Sequence, residues 1–317
     1  MAFFFGVIVP YMALALFLGG ILWRVVDWAG SPVPFPIATT TGQQRSLPWF
    51  RHARLDNPSS PWGVMGRIAL EVLCFRSLMR NTRAELRDGP TLTYHWEKWL
   101  WVGALAFHWS LLIILVRHLR LALQPIPGFV LWLEQLDSLF RIGLPTLYLT
   151  DLAVVAALTY LLVRRLIIPQ VRYISLSADY LLPLLILSVA VSGILMRHLF
   201  RVDIISVKAL ALGLATFRPQ VPDGIGLIFF VHLFLVSLLV AYIPFSKAVH
   251  LAGVFLAPTR LLQGNSRAFR HINPWNAEVK VHTYHEYEEE YRAKMLAAGI
   301  PVEEEGDRSH GTLHENA

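Results

Sequence analysis

The sequence predicts an all-α integral membrane protein: a five-helix transmembrane bundle with its N-terminus outside, its C-terminus inside and a cytoplasmic C-terminal tail. Three observations support this fold class. Of 317 residues, 55% are hydrophobic and only 16% are charged, which is more apolar than a soluble domain of this size. Five apolar runs are long enough to cross a bilayer. The lysines and arginines are divided unequally between the segments that connect these runs.

Each predicted span is a run of roughly 20 predominantly apolar residues, the length that a helix needs to cross the hydrocarbon core. The first run lacks a basic leader and a small-residue cleavage site, so we expect it to stay in the membrane rather than act as a secretory signal. The spans are predicted over residues of about 3–23, 99–119, 146–163, 180–198 and 224–250. Together they define a domain over residues 1–255.

Basic residues predict the orientation. Twenty-one of the 28 lysines and arginines lie in residues 24–98, 164–179 and the segment after 246. Cytoplasmic loops of membrane proteins carry an excess of these residues. The N-terminus is therefore expected outside and the tail inside.

Three further segments are expected outside the bilayer core. Residues 62–88 are predicted to form a basic amphipathic helix on the inner surface or against a partner. Residues 128–142 are predicted to form a shorter amphipathic helix on the outer surface. The tail, residues 256–317, is polar, contains "EYEEEYRAKMLAAG" as a predicted helix, and ends in a charged stretch that we expect to be disordered.

The cysteine count excludes several kinds of redox centre. The chain has a single cysteine, Cys74, so it cannot form an internal disulfide or hold a four-cysteine iron–sulfur cluster. The sequence has no C-x-x-C-H motif, which excludes covalent haem attachment of the usual kind.

Four of the twelve histidines lie in the predicted spans: His108 and His118 on the second, and His232 and His250 on the fifth. An ionisable side chain inside a membrane is costly, so each is a candidate for function. A single such histidine could instead hydrogen-bond a neighbouring helix, and His118 and His250 could lie in the membrane interface.

The spacing of the four histidines suggests two pairs. His232 and His250 are separated by 18 residues, five helical turns and about 27 Å, whereas His108 and His118 are separated by 10 residues and about 15 Å. Because the two helices run antiparallel, His118 and His232 fall toward the outer leaflet, and His108 and His250 toward the inner. Two histidines from facing helices at one depth suit the axial ligation of a non-covalent haem. Because the two histidines are farther apart along the fifth span than along the second, either the helices must cross or the haem planes must tilt.

These features resemble a known family. The two histidine spacings, the five-span layout and "PFSKAVH" after the last apolar run are similar to the di-haem cytochrome b (gamma) subunit of respiratory nitrate reductase. Within that family, "NPSSPWGVMGRIALEVLCFRSLMRNTR" and the long tail look most like DsrM, the membrane cytochrome b of the dissimilatory sulfite-reductase-associated complex DsrMKJOP.

The resemblance implies a role in electron transfer at a bacterial or archaeal cytoplasmic membrane. Two haems b would exchange electrons with menaquinone on the outer side and with a cytoplasmic, DsrK-like iron–sulfur subunit, beside DsrJ-, DsrO- and DsrP-like subunits of sulfur metabolism. The inner haem is assigned to His108 and His250, and the outer haem to His118 and His232. No residue of this chain is predicted to be catalytic; the chain is expected to be an electron-transfer subunit of a quinone-linked oxidoreductase.

Charged residues near the histidines are weaker candidates. The possible partners of the haem propionates are Arg117, Arg120 and Lys247, although each could instead reach lipid phosphates. The possible groups of an outer quinone and proton site are Glu134, Asp137, Arg197 and His198, although each could simply face solvent at the interface. Asp151 is similarly ambiguous.

Other functions stay open at this point. The chain could serve another respiratory complex, nitrate-reductase-like or heterodisulfide-reductase-like. A haem-binding sensor would keep the histidines without a quinone site. A transporter would more often show broken helices or paired acids inside the membrane, which are scarce in this sequence.

Overall fold

The computed structural model describes residues 1–30, 53–86, 89, 91–140, 146–261, 263–264 and 282–303. The chain divides into two units, residues 1–271 and residues 272–317. The first unit opens with a π-helical turn, Phe4–Ile8, that continues as helix α1, Val9–Gly30. This continuous helix is longer than the predicted first span of residues 3–23.

The predicted amphipathic helix over residues 62–88 is only half present. Helix α2, Pro61–Cys74, ends at Phe75, whose φ of 49° lies in the left-handed region. A short helix α3, Arg76–Met79, follows. Strands β1, Thr82–Leu86, and β2, Leu92–Trp96, then pair antiparallel on either side of Gly89. The prediction of a single helix was wrong over residues 75–86, because the chain turns at Phe75 and residues 82–86 satisfy their hydrogen bonds in a hairpin. Residues 87 and 88 lie outside the described part of the chain.

Helix α4, Lys98–Ala122, fills the predicted second span. Helix α5, Gly128–Asp137, is shorter than the amphipathic helix predicted over residues 128–142, because Ser138 is already extended. The next residues form strand β3, Ser138–Phe140, which pairs with strand β4, Leu147–Tyr148. The prediction of a helix was therefore wrong over residues 138–140, and its last two residues, 141 and 142, lie outside the described part of the chain.

Four helices follow strand β4 in the next part of the chain. Helix α6, Leu149–Ile167, has Asp151 in its first turn and two arginines in its last turn. The others are α7, Pro169–Tyr173, α8, Ser177–His198, and α9, Ile204–Ala215. Asp203 caps α9 by accepting hydrogen bonds from the backbone N–H groups of Ile205 and Ser206.

The predicted span 224–250 is not one continuous α-helix. Helix α10, Leu227–Tyr242, is followed by two 3-10 turns, Ile243–Phe245 and Lys247–Val249, with an extended residue between them. His250 then begins helix α11, His250–Gly253. The expectation that His232 and His250 share one helix face over five turns was therefore wrong. Helix α12, Pro258–Leu261, follows.

Among the described residues, four helices are long and apolar enough to cross a membrane: Phe4–Gly30, Lys98–Ala122, Ser177–His198 and Leu227–Phe245. Helix α6 covers the remaining predicted span, but its terminal charges make it less apolar than these four. It packs against both α4 and α8, and α8 packs against α10, which packs against α1. The helix neighbours therefore run in the order α4, α6, α8, α10, α1.

Helix α1 approaches the end of the last span very closely. A Cβ atom on Gly20 would lie 2.6 Å from Cβ of Pro244, whereas one on Gly19 would meet nothing within 4 Å. Arg24 donates a 3.1 Å hydrogen bond from Nε to the carbonyl oxygen of Pro244. These contacts hold the non-helical turn that leads to His250.

The second unit contains helix α13, Tyr284–Ala297, capped by a reciprocal pair of hydrogen bonds between Thr283 and Glu286. This helix confirms the one predicted from "EYEEEYRAKMLAAG". Glu288 is 3% exposed; it pairs with Arg292 and accepts the backbone N–H of Glu303 at 2.9 Å. The expected disorder at the end of the tail concerns residues outside the described part of the chain.

Candidate functional site

The structure brings His108 and His250 together. Their ring centroids are 6.1 Å apart and the ring planes cross at 70°. His108 lies on α4, and the turns after α10 carry His250 to it. Phe75 and Phe107 also contact the His108 ring edge to face, at 4.8 and 4.7 Å. The predicted inner pair therefore meets, although the helix geometry used to predict it was wrong.

The other predicted pair is His118, near the end of α4, and His232 on α10. The contacts of the described residues include a ring contact for His108 with His250 but none for His118 with His232. His232 packs against helix α8, where a Cβ atom on Gly193 would lie 3.2 Å from Cε1 of its ring. The absence of a side chain at Gly193 thus gives the imidazole room between α8 and α10.

All four imidazoles use Nδ1 in a hydrogen bond. The backbone acceptors are the carbonyl of Ala104 for His108 at 2.8 Å, that of Ile114 for His118 at 2.7 Å, and that of Lys247 for His250 at 2.7 Å. A carbonyl can only accept, so each of these three Nδ1 atoms carries the proton.

His232 differs from the other three because a side chain is among its partners, beside the backbone carbonyl of Val189. Its Nδ1 lies 2.9 Å from Oγ of Ser192, a buried residue on α8. The Ser192 hydroxyl donates its own proton to the carbonyl of Val189 at 2.9 Å, so Oγ accepts from His232.

These hydrogen bonds leave Nε2 of each imidazole as the atom with a free lone pair. Metal-ligating histidines commonly donate their second ring N–H in this way, which fixes the tautomer and the ring orientation. Two nitrogens on opposite sides of one metal lie about 4 Å apart, and each ring centroid lies about 1 Å further out. The 6.1 Å between the His108 and His250 centroids agrees with that arrangement. The donor set of His108 and His250 therefore fits a haem iron, and His118 and His232 share its tautomer but have no comparable ring contact among the described residues.

A buried ion network lies next to His118. The guanidinium of Arg117 donates to Asp137 at 2.6 Å and to Asp151 at 2.8 Å. Asp137 also accepts the backbone N–H of Thr150 at 2.9 Å and its hydroxyl at 2.6 Å. All four residues are less than 9% exposed. Because the charges are paired and further hydrogen-bonded, their burial is tolerated.

A second, half-buried group adjoins this network. Arg120 pairs with Glu134 at 2.5 Å, and the hydroxyl of Tyr148 donates to the same carboxylate. The Tyr148 ring lies 3.7 Å from the Arg117 guanidinium and 4.3 Å from that of Arg197. The predicted outer residues Glu134, Asp137 and Arg197 thus belong to one cluster with both arginines of α4.

His198, the remaining predicted outer residue, ends helix α8. Its Nε2 atom is buried, and within the described ranges no group hydrogen-bonds to it. The same holds for Nε of Arg197. Two polar atoms without partners at the edge of the cluster are available for a ligand.

The three residues predicted as propionate partners already have carboxylate partners in the protein. Arg117 is shared between two aspartates, Arg120 pairs with Glu134, and Lys247 lies 2.5 Å from Asp179. Sequence reasoning gave none of them these partners. Their charges are largely compensated within the chain.

A mostly apolar cleft of about 310 Å³ lies between the end of α4 and helix α9, just beyond His118. Its polar lining groups are Arg120, Gln124 and Lys208, and its apolar lining includes Ile126, Ile204 and Ile205. A concave apolar site with a few polar groups is the usual form of a small-molecule site. Sequence reasoning missed the cleft, because residues 204–215 were not predicted to pack on α4.

Sequence reasoning also missed Ser192 and Tyr148. Ser192 is one of several serines on α8 and α10, and only the packing of these helices sets it beside His232. Tyr148 lies in the predicted third span, and its contacts come from α4, α5 and α8, which are distant in sequence.

The fold and the site together define a multi-pass membrane protein that holds histidine pairs between its helices. Residues 60–271 match the family model of the nitrate reductase gamma subunit, and the chain belongs to this family. The resemblance identified from the sequence is thereby confirmed.

Two curated relatives are similar over most of their length. A protein of Archaeoglobus fulgidus is 42% identical over 279 residues, 86% of this chain and 83% of the relative. A protein of Archaeoglobus profundus is 39% identical over 274 residues, 84% of this chain and 81% of the relative. Both are named Hdr-like menaquinol oxidoreductase cytochrome b-like subunit.

Proposed function

We propose that this chain is the di-haem cytochrome b subunit of an Hdr-like complex and carries electrons between menaquinone on the outer side and a cytoplasmic iron–sulfur subunit. The observation that carries the proposal is the hydrogen bonding of the four histidines. Each Nδ1 is occupied, so each Nε2 has a lone pair for iron. His108 and His250 would hold the inner haem, and His118 and His232 the outer haem.

The four histidines would hold the haems through Nε2, and the bound haems would supply reversible one-electron transfer. The chain's own residues fix the imidazole tautomers and exclude water around His108 with Phe75 and Phe107. Two haems at different depths would make a path across the membrane.

The proposal includes five spans, with the N-terminus outside and the tail inside. Helix α6 would be the span that completes the five, third in chain order, and its packing between α4 and α8 supports this placement. Its charged ends are covered by partners: Asp151 pairs with Arg117, Arg164 with Glu97, and Arg165 lies 3.6 Å from Asp179. Charges paired at helix ends are compatible with a span.

Quinone chemistry is placed at the outer end of α4. The cleft beside Arg120 has the apolar walls that a quinone ring and tail need, and Arg120, Gln124 and Lys208 offer hydrogen bonds to its carbonyl oxygens. Glu134 lies behind Arg120 and could accept a proton from bound quinol. The name of the Archaeoglobus relatives, menaquinol oxidoreductase, supports menaquinone as the quinone.

The partners follow from what this chain lacks. With one cysteine it cannot hold a four-cysteine iron–sulfur cluster, so the cluster that exchanges electrons with the haems would lie on another subunit. The Hdr-like designation of the relatives supports a heterodisulfide-reductase-like partner. A DsrK-like subunit, with DsrJ-, DsrO- and DsrP-like subunits beside it, is the more specific form of this proposal.

We place the docking of the cytoplasmic subunit on the tail. Removal of residues 272–317 should leave both haems bound and release the partner during purification. The cut belongs after residue 271 and not near residue 260, because Arg260 pairs with Glu71 at 3.0 Å and the N–H of Gly264 donates to the carbonyl of Pro58 at 2.8 Å. Co-purification of the full complex with the truncated chain would refute the docking role.

The test of the function is a reduced-minus-oxidised visible spectrum of the purified chain, with haem and protein quantified, followed by addition of a menaquinol analogue. We expect two low-spin haems per chain and their reduction by the quinol. A chain without haem would favour a transporter. Haems that stay oxidised with quinol and are reduced only by dithionite would favour a sensor.

A further inference from the structure

A polar cleft of about 240 Å³ lies on the side of the protein that carries the inner histidine pair. It is lined by Asp56, Arg67, Glu71, Arg76, Ser77 and Arg260. None of these residues was singled out from the sequence. Three guanidinium groups face two carboxylates across the cleft, so its lining carries a net positive charge.

Two segments of the chain connect the cleft to the inner histidine pair. On one side, the Phe75 ring contacts His108, and the chain turns at Phe75 so that Arg76 and Ser77 enter the cleft. On the other side, His250 opens the segment that carries Arg260 ten residues later. A bulky residue with a φ of 49° costs of order 1–3 kcal/mol and persists where the surroundings require that turn.

The cleft is held open by a defined set of bonds. Asp56 accepts hydrogen bonds from Arg76 at 2.6 Å and from Arg80 at 2.7 Å on the same oxygen atom. Arg260 pairs with Glu71 at 3.0 Å and donates to Ser77 at 3.2 Å. Each guanidinium has five N–H donors, so these contacts leave donors for an anion.

The lining has three guanidinium groups and two carboxylates, so its net charge is positive. The pKa of Arg67 is lowered, first by burial and then by the charge of Arg260. An additional anion in the cleft would relieve this repulsion, and planar guanidinium groups bind carboxylates in two-point contacts.

We propose that this cleft receives the carboxylate arms of the haem held by His108 and His250, with Arg76 and Arg260 as the principal partners. This inference rests on the proposed function. It moves the inner propionate contacts from Lys247 to the α2–α3 corner, where Arg76 and Arg260 are also paired with carboxylates but keep further N–H donors. Arg76 and Arg260 would then affect the inner haem through their charges, without ligating its iron.

The test compares Arg76→Gln with Arg80→Gln in the full-length chain purified with its haems. Arg80 is the matched control, because it bonds to the same atom of Asp56 but does not line the cleft. The readouts are haem content and the midpoint potential of each haem in a spectroscopic redox titration.

We expect Arg76→Gln to disfavour reduction of the inner haem by about tenfold, which is a fall of 59 mV for a one-electron couple. Loss of a cation stabilises the ferric form, which has one more positive charge. The outer haem should be unaffected, and Arg80→Gln should leave both potentials unchanged. If Arg76→Gln does not assemble, Arg260→Gln should give the same shift.

Unchanged inner potentials in both Arg76→Gln and Arg260→Gln would overturn the inference while leaving the proposed function intact. An equal fall in Arg80→Gln would also overturn it, since the effect would then be one of general surface charge. Absence of haem from the unmodified chain would instead overturn the proposed function.

Discussion

The hydroxyl of Ser192 is expected to tune the outer haem. It is the only side-chain acceptor among the Nδ1 partners of the four histidines, since the other partners are backbone carbonyls. A hydrogen bond from Nδ1–H makes an imidazole a stronger donor to iron, which favours the ferric state. Ser192→Ala should therefore raise the midpoint potential of the outer haem.

The magnitude follows from the strength of one hydrogen bond. A buried hydrogen bond contributes about 0.5–1.5 kcal/mol, and for a one-electron couple about 1.4 kcal/mol corresponds to 59 mV. If the whole bond distinguished the two oxidation states, the rise would be about 20–65 mV. The effect should be confined to the haem that His232 ligates.

The assay is a two-component redox titration of the purified chain, and Ser237→Ala is the control. Ser237 is also buried, and its hydroxyl donates to the carbonyl of Leu233 on its own helix at 2.8 Å without contacting a histidine. An unchanged outer potential in Ser192→Ala, or an equal rise in Ser237→Ala, would refute the role of this hydrogen bond.

Three further predictions concern the stability of the folded chain. Arg117→Ala leaves two buried carboxylates without a cation and should cost about 3–5 kcal/mol in thermal or denaturant unfolding. Arg120→Ala breaks a half-exposed ion pair and should cost less than about 1 kcal/mol of unfolding free energy. If Arg117→Ala and Arg120→Ala cost the same, the greater burial assigned to the Arg117 network would be contradicted. Gly20→Ala forces a methyl group against a proline ring and should cost about 1–3 kcal/mol, whereas Gly19→Ala, with open space, should be nearly neutral in the same measurement. Finally, hydrogen bonds from two arginines lower the pKa of Asp56, so its contribution is present above the ordinary aspartate pKa of about 3.9 and is lost as the pH falls through the lowered folded value. In Asp56→Asn, the melting temperature should fall less on acidification than it does in the unmodified chain. An unaltered dependence of the melting temperature on pH would argue against this linkage.

Apolar length predicted the spans well, because the bilayer requires it of any helix that crosses. Four predicted spans coincide with helices that are long and apolar enough. The same reasoning placed the end of the fifth span incorrectly. Proline disfavours a helix interior, and Pro244 lies where α10 gives way to 3-10 turns. The apolar run continues past this proline, so hydropathy alone did not reveal the break.

His108 was predicted to pair with His250 because both were expected at the same depth. The two rings do lie together in the structure, but a different backbone path brings them there. The turns around Ser246 bring His250 to the ring of His108, which an uninterrupted helix had been assumed to do. The order of the histidines along the two helices was therefore informative, and helical phase was not.

The hairpin after Phe75 had a signal in the sequence that the helical prediction overlooked. The segments "TRAEL" and "LTYHW" flank "RDGPT", and an Asp-Gly step between two segments is a hairpin signal. The partners of Arg117 had no such signal. Asp137 and Asp151 come from separate elements, and only their packing shows that one guanidinium bridges them.

The most direct test of the account is the haem content of four single variants, each replacing one of His108, His118, His232 and His250 with Ala. We predict one haem remaining in every variant. The haem that survives should have the same potential and spectrum in the His108 and His250 variants, and a different, shared signature in the His118 and His232 variants. Loss of the same haem from the His108 and His118 variants would contradict the pairing, and two haems retained in any of the four would contradict ligation by that residue.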